Sequence, residues 1–256
     1  MTPLSDGVVD WLRRVVDRPS VDESRYELQD EIGRGGGGTV WSAFDRTLER
    51  TVALKVLAAE EQGGEARTIA RLEHPGIVPV YDAGRLDDGR AFYTMKLVDG
   101  QRLDLHAATL TLAGRLRLFL EVCDAVAFAH SRGTLHRDLK PANIMAGAFG
   151  EVLVLDWGVA VRGTPGFMAP EVAAGEEPTV ASDIYSLGAT LESLLTEERP
   201  GPVRAIAAHA MNPDAEGRYE SAEAMRVDVA RYLDGERVSV YAETLRERLG
   251  RFVRRN

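Results

Sequence analysis

The spacing of apolar positions changes partway along the chain. From Tyr26 to about Leu97 they fall in short β-branched and aromatic runs, YELQDEIG, TVWSAF, TVALKV, IVPVYDAG and AFYTMKLV, parted by Gly, Asp-Asp-Gly or charged turns. This pattern predicts strands, with one helical insert from Glu60 to Leu72. After Gly100 the period becomes helical. Leu112, Leu116, Phe119, Leu120, Cys123, Val126 and Ala127 form one long face reaching His130, the mark of a central core helix. Ile184, Leu187, Leu191, Leu194 and Leu195 form a second face, and Ala222 to Leu233 a third. Val8, Leu12, Val15 and Val16 predict a short helix before the turn at Pro19-Ser20. The resulting division is an N-terminal extension (1–20), a β-rich part (21–98), an α-rich part (99–235) and a basic amphipathic tail (236–256). From Tyr241 onward that tail carries five arginines against two carboxylates; a helix packed on the α-rich part and a surface for a partner or membrane face both remain open for it.

Composition narrows the class. A chain of 256 residues, 45% hydrophobic and 28% charged, can bury a real core, which excludes a disordered, collagenous or disulfide-stapled protein. The single cysteine, Cys123, cannot form an internal disulfide and sits in an apolar helical stretch, so inert packing in a reducing, cytoplasmic setting is expected. No basic n-region and apolar stretch open the chain, and no apolar run approaches the roughly 20 residues of a membrane span. A net charge of −9 opposes a general nucleic-acid surface.

The run Gly33-Arg34-Gly35-Gly36-Gly37-Gly38 fits G-x-G-x-x-G, a device that brings backbone close to phosphates in more than one fold. The adjoining stretch, Thr39 to Phe44, is β-branched and aromatic, so the glycines join two strands of a hairpin instead of opening a helix. Val52-Ala53-Leu54-Lys55 then puts a lysine on the next strand. Further on come His136-Arg137-Asp138-Leu139-Lys140-Pro141-Ala142-Asn143, then Asp156-Trp157-Gly158, then Ala169-Pro170-Glu171. Over roughly residues 26–235 the chain resembles the protein kinase superfamily, and HRDLKPANIM with GTPGFMAPE is most similar to bacterial eukaryotic-like serine/threonine kinases.

That resemblance implies an α+β, two-lobed fold, a small antiparallel sheet lobe and a larger helical lobe with ATP between them. It implies magnesium, with manganese as an alternative, and transfer of the γ-phosphate to protein hydroxyls, autophosphorylation included. By resemblance, Asp138 would orient the acceptor hydroxyl or take its proton, Lys140 would stand beside the γ-phosphate, and Asn143 and Asp156 would hold the metal. Gly33, Gly35 and Gly38 would cover the phosphates, and Lys55 would reach them, braced by Glu65; Glu60 and Glu61 are rivals, but Glu65 keeps the register that turns Ile69 and Leu72 inward. Val40, Ala53 and Met145 would sandwich the adenine, Met95 would stand at its back, and the Lys96 carbonyl and Val98 amide would bond its edge. Ile69, Val80, Trp157 and His136 would stack as a spine anchored by Asp183, and Glu171 would pair with Arg218. Neither the identity of the protein substrates nor an oligomeric state can be read from these residues.

Several positions depart from the family pattern. Asp156 to Glu171 is short, and Val159-Ala160-Val161-Arg162 holds no hydroxyl, so Arg137 would lack a loop phosphate and activity would not depend on one; Thr164 and Thr190 are the nearest threonines. Only nine residues separate Lys55 from Glu65, which predicts a looser or displaced pair. Gly37 in place of an apolar tip predicts a more mobile phosphate lid. Little chain separates the helices on either side of Thr196–Val203, which leaves little room for a substrate-docking helix. A trimmed segment of this kind also suits a catalytically weak, nucleotide-binding scaffold, the alternative to an active enzyme; a small-molecule phosphotransferase is a more distant third reading.

Overall fold

The computed structural model describes residues 19–22, 24–35, 37–58, 64–158, 163–195 and 200–244. Expectations for the N-terminal helix, Gly36, Glu60, Glu61, the 159–162 segment, residues 196–199 and the tail beyond Thr244 lie outside them. The chain divides into two compact units, one holding residues up to Ala66 with Val80–Leu97, the other Arg67–Pro79 with the chain from Val98 onward.

In the first unit, strands β1 (Tyr26–Gly35), β2 (Gly38–Asp45), β3 (Arg50–Leu57), β4 (Val80–Arg85) and β5 (Ala91–Lys96) make one antiparallel sheet in the order β1-β2-β3-β5-β4. The period-two pattern explains its face: Val52, Leu54 and Val56 of β3 point into a core with Tyr26, Leu28 and Trp41. Ala53 and Lys55 therefore point to the opposite face, and both are buried. The hairpin between β1 and β2 closes at Gly35 and Gly38. Gly38 has φ 132°, and a Cβ there would collide with the Val56 carbonyl, so only glycine fits. Helix α1 (Gly64–Ala70) is shorter than the predicted insert and ends before Leu72.

The run IVPVYDAG enters the sheet only at Val80. Pro79 has no N–H to give to a ladder, and Ile77, itself part of the second unit, bridges Val154 of that same unit in parallel.

The second unit is not helical throughout, since β6 (Gly100–Arg102), β7 (Ile144–Gly147) and β8 (Val152–Val154) form a small antiparallel sheet. Its helices are α2 (Leu103–Ala107), α3 (Leu112–Ser131), α4 (Pro170–Ala173), α5 (Val180–Leu194), α6 (Gly201–Ala210) and α7 (Ala222–Leu233). Helix α3 buries Leu116, Phe119, Val122, Cys123, Val126 and Ala129, and α7 lies along it. Side-chain caps set three helix starts: Thr111 accepts from the Gly114 amide at 3.3 Å, Ser221 from Ala224 at 3.1 Å, and Thr179 and Ser182 close a reciprocal capping box on α5. The Cys123 thiol is fully buried, and burial pushes its pKa well up, which suits inert packing. No helix among the described residues is long and apolar enough to cross a membrane.

Candidate functional site

In the first unit the antiparallel register puts Val40 opposite Lys55, Ala53 opposite Met95, and Lys55 opposite Tyr93. Lys55 Nζ donates to Glu65 Oε1 at 2.9 Å, and the Tyr93 hydroxyl donates to the same oxygen at 2.8 Å. The lysine and glutamate side chains are only 5% and 2% exposed, so a low dielectric strengthens their attraction. The pair is closed where the short spacing predicts a loose one. Glu65 lies in the first turn of α1, and the strand beside Lys55 supplies a second donor that orients the carboxylate. A Cβ at Gly35 would meet nothing within 4 Å, whereas Gly33 lies 3.8 Å from Val40 Cβ by the same measure. Of the residues expected around an adenine ring, Val40, Ala53, Met95 and Lys96 stand on adjoining strands of this sheet, while Val98 and Met145 belong to the second unit.

In the second unit Asp138 is the hub. Its Oδ2 accepts from Lys140 Nζ at 2.6 Å and Asn143 Nδ2 at 3.2 Å. Its Oδ1 accepts from the Thr164 amide at 2.9 Å and the Thr164 hydroxyl at 2.7 Å. Thr164 Oγ1 in turn accepts from Lys140 Nζ at 2.6 Å, which closes a ring of three side chains. Asn143 Nδ2 also donates to the Asp138 carbonyl at 2.9 Å, a bond that commits the amide nitrogen and leaves its oxygen as the end open to a cation.

A backbone scaffold fixes this loop. Asp183 of α5 accepts the amides of His136 at 2.7 Å and Arg137 at 2.9 Å, and its carboxylate meets His130 Nε2 at 2.9 Å. Arg137 and Asp156 hold φ of 72° and 57°, left-handed values that cost non-glycine residues energy and cluster at working sites. His136 is fully buried; burial holds its pKa below the usual value, partly opposed by Asp183. Its neutral ring has one consistent tautomer: Nε2–H donates to the Leu155 carbonyl at 2.9 Å and Nδ1 accepts the Asp138 amide at 3.3 Å. The ring also packs on Trp157, centroids 4.8 Å apart. Arg218 forks onto both oxygens of Glu171 at 2.7 and 2.8 Å and donates to the Ala181 and Asn212 carbonyls, each at 2.8 Å.

Among the described residues no group of three His, Cys, Asp or Glu side chains forms a self-contained metal cage. Asn143 and Asp156 offer hard oxygen donors, and magnesium typically takes one or two carboxylates together with phosphate oxygens and water, so the donor set fits that ion.

Two participants escape the sequence reading. Tyr93 was legible in principle, because it lies directly across the sheet from Lys55. In the sequence Thr164 stands out only as a hydroxyl near a missing phosphosite; its approach to Asp138 across 26 positions is a tertiary event without a local signal.

The probable serine/threonine-protein kinase SCO3848 of Streptomyces coelicolor is 35% identical to the chain over an alignment covering 85% of this chain and 41% of that protein. Serine/threonine-protein kinase PknD of Protochlamydia amoebophila is 32% identical, with 82% of this chain and 30% of that protein covered. The chain thus spans less than half the length of these curated relatives. The crystal structure of the Mycobacterium tuberculosis PknI kinase domain is similar at TM-score 0.67 and 25% identity, covering 84% of this chain and 98% of that one. The protein kinase domain model matches residues 26–229, and the chain belongs to that family.

Proposed function

We propose that the chain is an ATP-dependent serine/threonine protein kinase, and that it also phosphorylates itself. The observation that carries this reading is the Asp138 carboxylate, presented by Lys140, Asn143 and Thr164 with all its hydrogen-bonding positions defined. The Thr164 hydroxyl marks on Asp138 the kind of contact that an acceptor serine or threonine would make. In the transfer, the acceptor oxygen forms a bond to the γ-phosphorus as the bond to the β–γ bridging oxygen breaks; ADP leaves with that electron pair, and the hydroxyl proton passes toward Asp138. Lys140, 2.6 Å from Asp138, provides positive charge where the acceptor and the γ-phosphate meet. Lys55, braced by Glu65 and Tyr93, takes the α- and β-phosphates, under the backbone of Gly33, Gly35 and Gly38. In the first unit, Val40, Ala53 and Met95 would lie against the adenine, with the Lys96 carbonyl on its edge. Asn143 and Asp156 would hold magnesium, or manganese, whose charge would neutralise that of the phosphates. A supply of ATP and the buried thiol of Cys123 suit work in the cytoplasm.

Activity does not depend on an activation-segment phosphate: residues 159–162 offer no hydroxyl to carry one, and the Thr164 hydroxyl is engaged by Asp138 and Lys140. A required phosphate within residues 159–168, found by mass spectrometry, would overturn that part. The whole reading is tested by transfer of labelled γ-phosphate to the chain and to a generic basic protein, wild type against Asp138→Asn. Loss of about 10²–10⁴-fold, with wild-type label on serine or threonine, is the expected result. A folded wild type that binds ATP without transferring phosphate would replace it with the scaffold reading.

A further inference from the structure

Phosphoryl transfer in this family needs the strand lysine and the helix glutamate joined, and a phosphate on the activation segment is one means of controlling that union. Residues 159–162 offer no hydroxyl for such a phosphate, yet Lys55 and Glu65 are joined at 2.9 Å. Helix α1 does not account for this by itself. It has seven residues with Glu65 in its first turn, whereas helices shorter than about 12 residues are marginal in water. The direction of the Glu65 carboxylate must therefore come from what it touches.

Its Oε1 meets two donors of unlike character. Lys55 Nζ arrives on a flexible four-carbon stem and carries a charge that phosphates also attract. The Tyr93 hydroxyl arrives at 2.8 Å on a rigid ring with two torsions. That ring is fully buried on β5, directly across from Lys55 on β3, so the register of two strands sets where the hydroxyl points. Lys55 Nζ stands 6.0 Å from the ring centre, and all three groups belong to the first unit. A phenol is an uncharged donor. It orients the carboxylate without bringing a second cation into the core, and phosphates draw it less strongly than they draw an ammonium. When the lysine turns toward a nucleotide, the tyrosine can stay where it is.

We propose that Tyr93 is a positioning residue: its hydroxyl holds Glu65 in place while Lys55 divides its donors between that carboxylate and the α- and β-phosphates, and so keeps the pair closed without an activation-segment phosphate. The inference rests on the kinase reading above. It assigns to one buried hydroxyl, through Glu65 and Lys55, a share of the chain's use of ATP.

Tyr93→Phe keeps the buried ring and removes only the hydroxyl. Wild type and variant, both treated with a phosphatase, are assayed with ATP, magnesium and a generic basic protein. The variant's kcat/KM for ATP should fall about tenfold, roughly the worth of one hydrogen bond to a charged group, while KM for the protein acceptor stays within about twofold. Phosphatase treatment should leave the wild type within about twofold of its untreated rate. Denaturant unfolding separates this role from packing: Tyr93→Phe should lower the midpoint of the wild type but not that of Lys55→Met with Glu65→Leu, where the hydroxyl has lost its acceptor. An unchanged kcat/KM for ATP, a loss carried by the KM for the acceptor, equal midpoint shifts in the two backgrounds, or collapse of the wild type on phosphatase treatment would each overturn the assignment and leave the kinase reading intact. Absence of transfer from the untreated wild type would remove both.

Discussion

Glu65 and Asp138 are both carboxylates with a lysine at hydrogen-bond distance, but the two units hold them by different means. The Lys55–Glu65 side chains are 5% and 2% exposed, and packing with one tyrosine fixes them. The Lys140–Asp138 side chains are 22% and 17% exposed, and orientation comes from the number of donors that converge on one carboxylate. A buried pair stores its geometry in desolvation, because either partner alone is an uncompensated charge. A partly exposed pair can recruit water when a partner is lost, so it keeps its stability and forfeits its alignment. Damage to the first pair should therefore appear in folding, and damage to the second in rate.

The largest effect expected from this contrast is on Glu65→Ala, which strands the Lys55 cation in the core and should cost about 3–5 kcal/mol in denaturant unfolding. The double variant Lys55→Met with Glu65→Leu should recover most of that stability and remain inactive; a double variant as unstable as the single one would break the comparison. Next comes Lys140→Ala. Transfer should fall by roughly 10²–10³-fold while unfolding shifts by no more than about 1 kcal/mol. A stability loss matching that of Glu65→Ala would show the two sites to be held alike.

Glu171 tests the middle of the range, since its side chain is 16% exposed while that of Arg218 is fully buried. The hydrogen-bonded guanidinium holds the Glu171 carboxyl below its ordinary value of 4.5, with burial opposing the effect. Because the folded pKa is depressed, the stabilisation is complete above the unfolded value and is lost as pH falls through the folded one. Glu171→Gln should cost about 2–3 kcal/mol near neutrality, and its gap from wild type, tracked by unfolding at successive pH values, should close on acidification below about pH 4.5. A gap that does not change with pH would mean that the carboxylate charge contributes nothing.

How much could be read from the sequence depends on the range of the interaction. Helices α3 and α7 and the hairpin around Gly33–Gly38 are legible because each repeats a local period or carries its own turn residues. The small sheet β6-β7-β8 is not, because strands of three or four residues are too short to establish a period, and β6 is held by a partner more than forty positions away, as Gly100 is by Gly147. The closed Lys55–Glu65 pair also defeats a reading from spacing alone: loop length suggests slack, while the cross-strand Tyr93 removes it. The catalytic-loop residues are recognisable as a motif, yet the motif does not reveal that a threonine 26 positions later completes the Asp138 cluster.

That threonine provides the smallest and sharpest test. If donor convergence is what holds Asp138, the useful part of Thr164 is its hydroxyl, which bonds both Asp138 and Lys140, and not its methyl group. Thr164→Ser keeps the hydroxyl and should leave transfer within about threefold of wild type. Thr164→Ala keeps the backbone amide on Oδ1 but removes the bridge to Lys140, and should lower kcat about tenfold, roughly the worth of one hydrogen bond to a charged group. Steady-state rates with saturating ATP decide between them. Equal losses in the two variants would assign Thr164 to packing, and the partly exposed cluster would then have to be held, like the buried pair, by the shape of its surroundings.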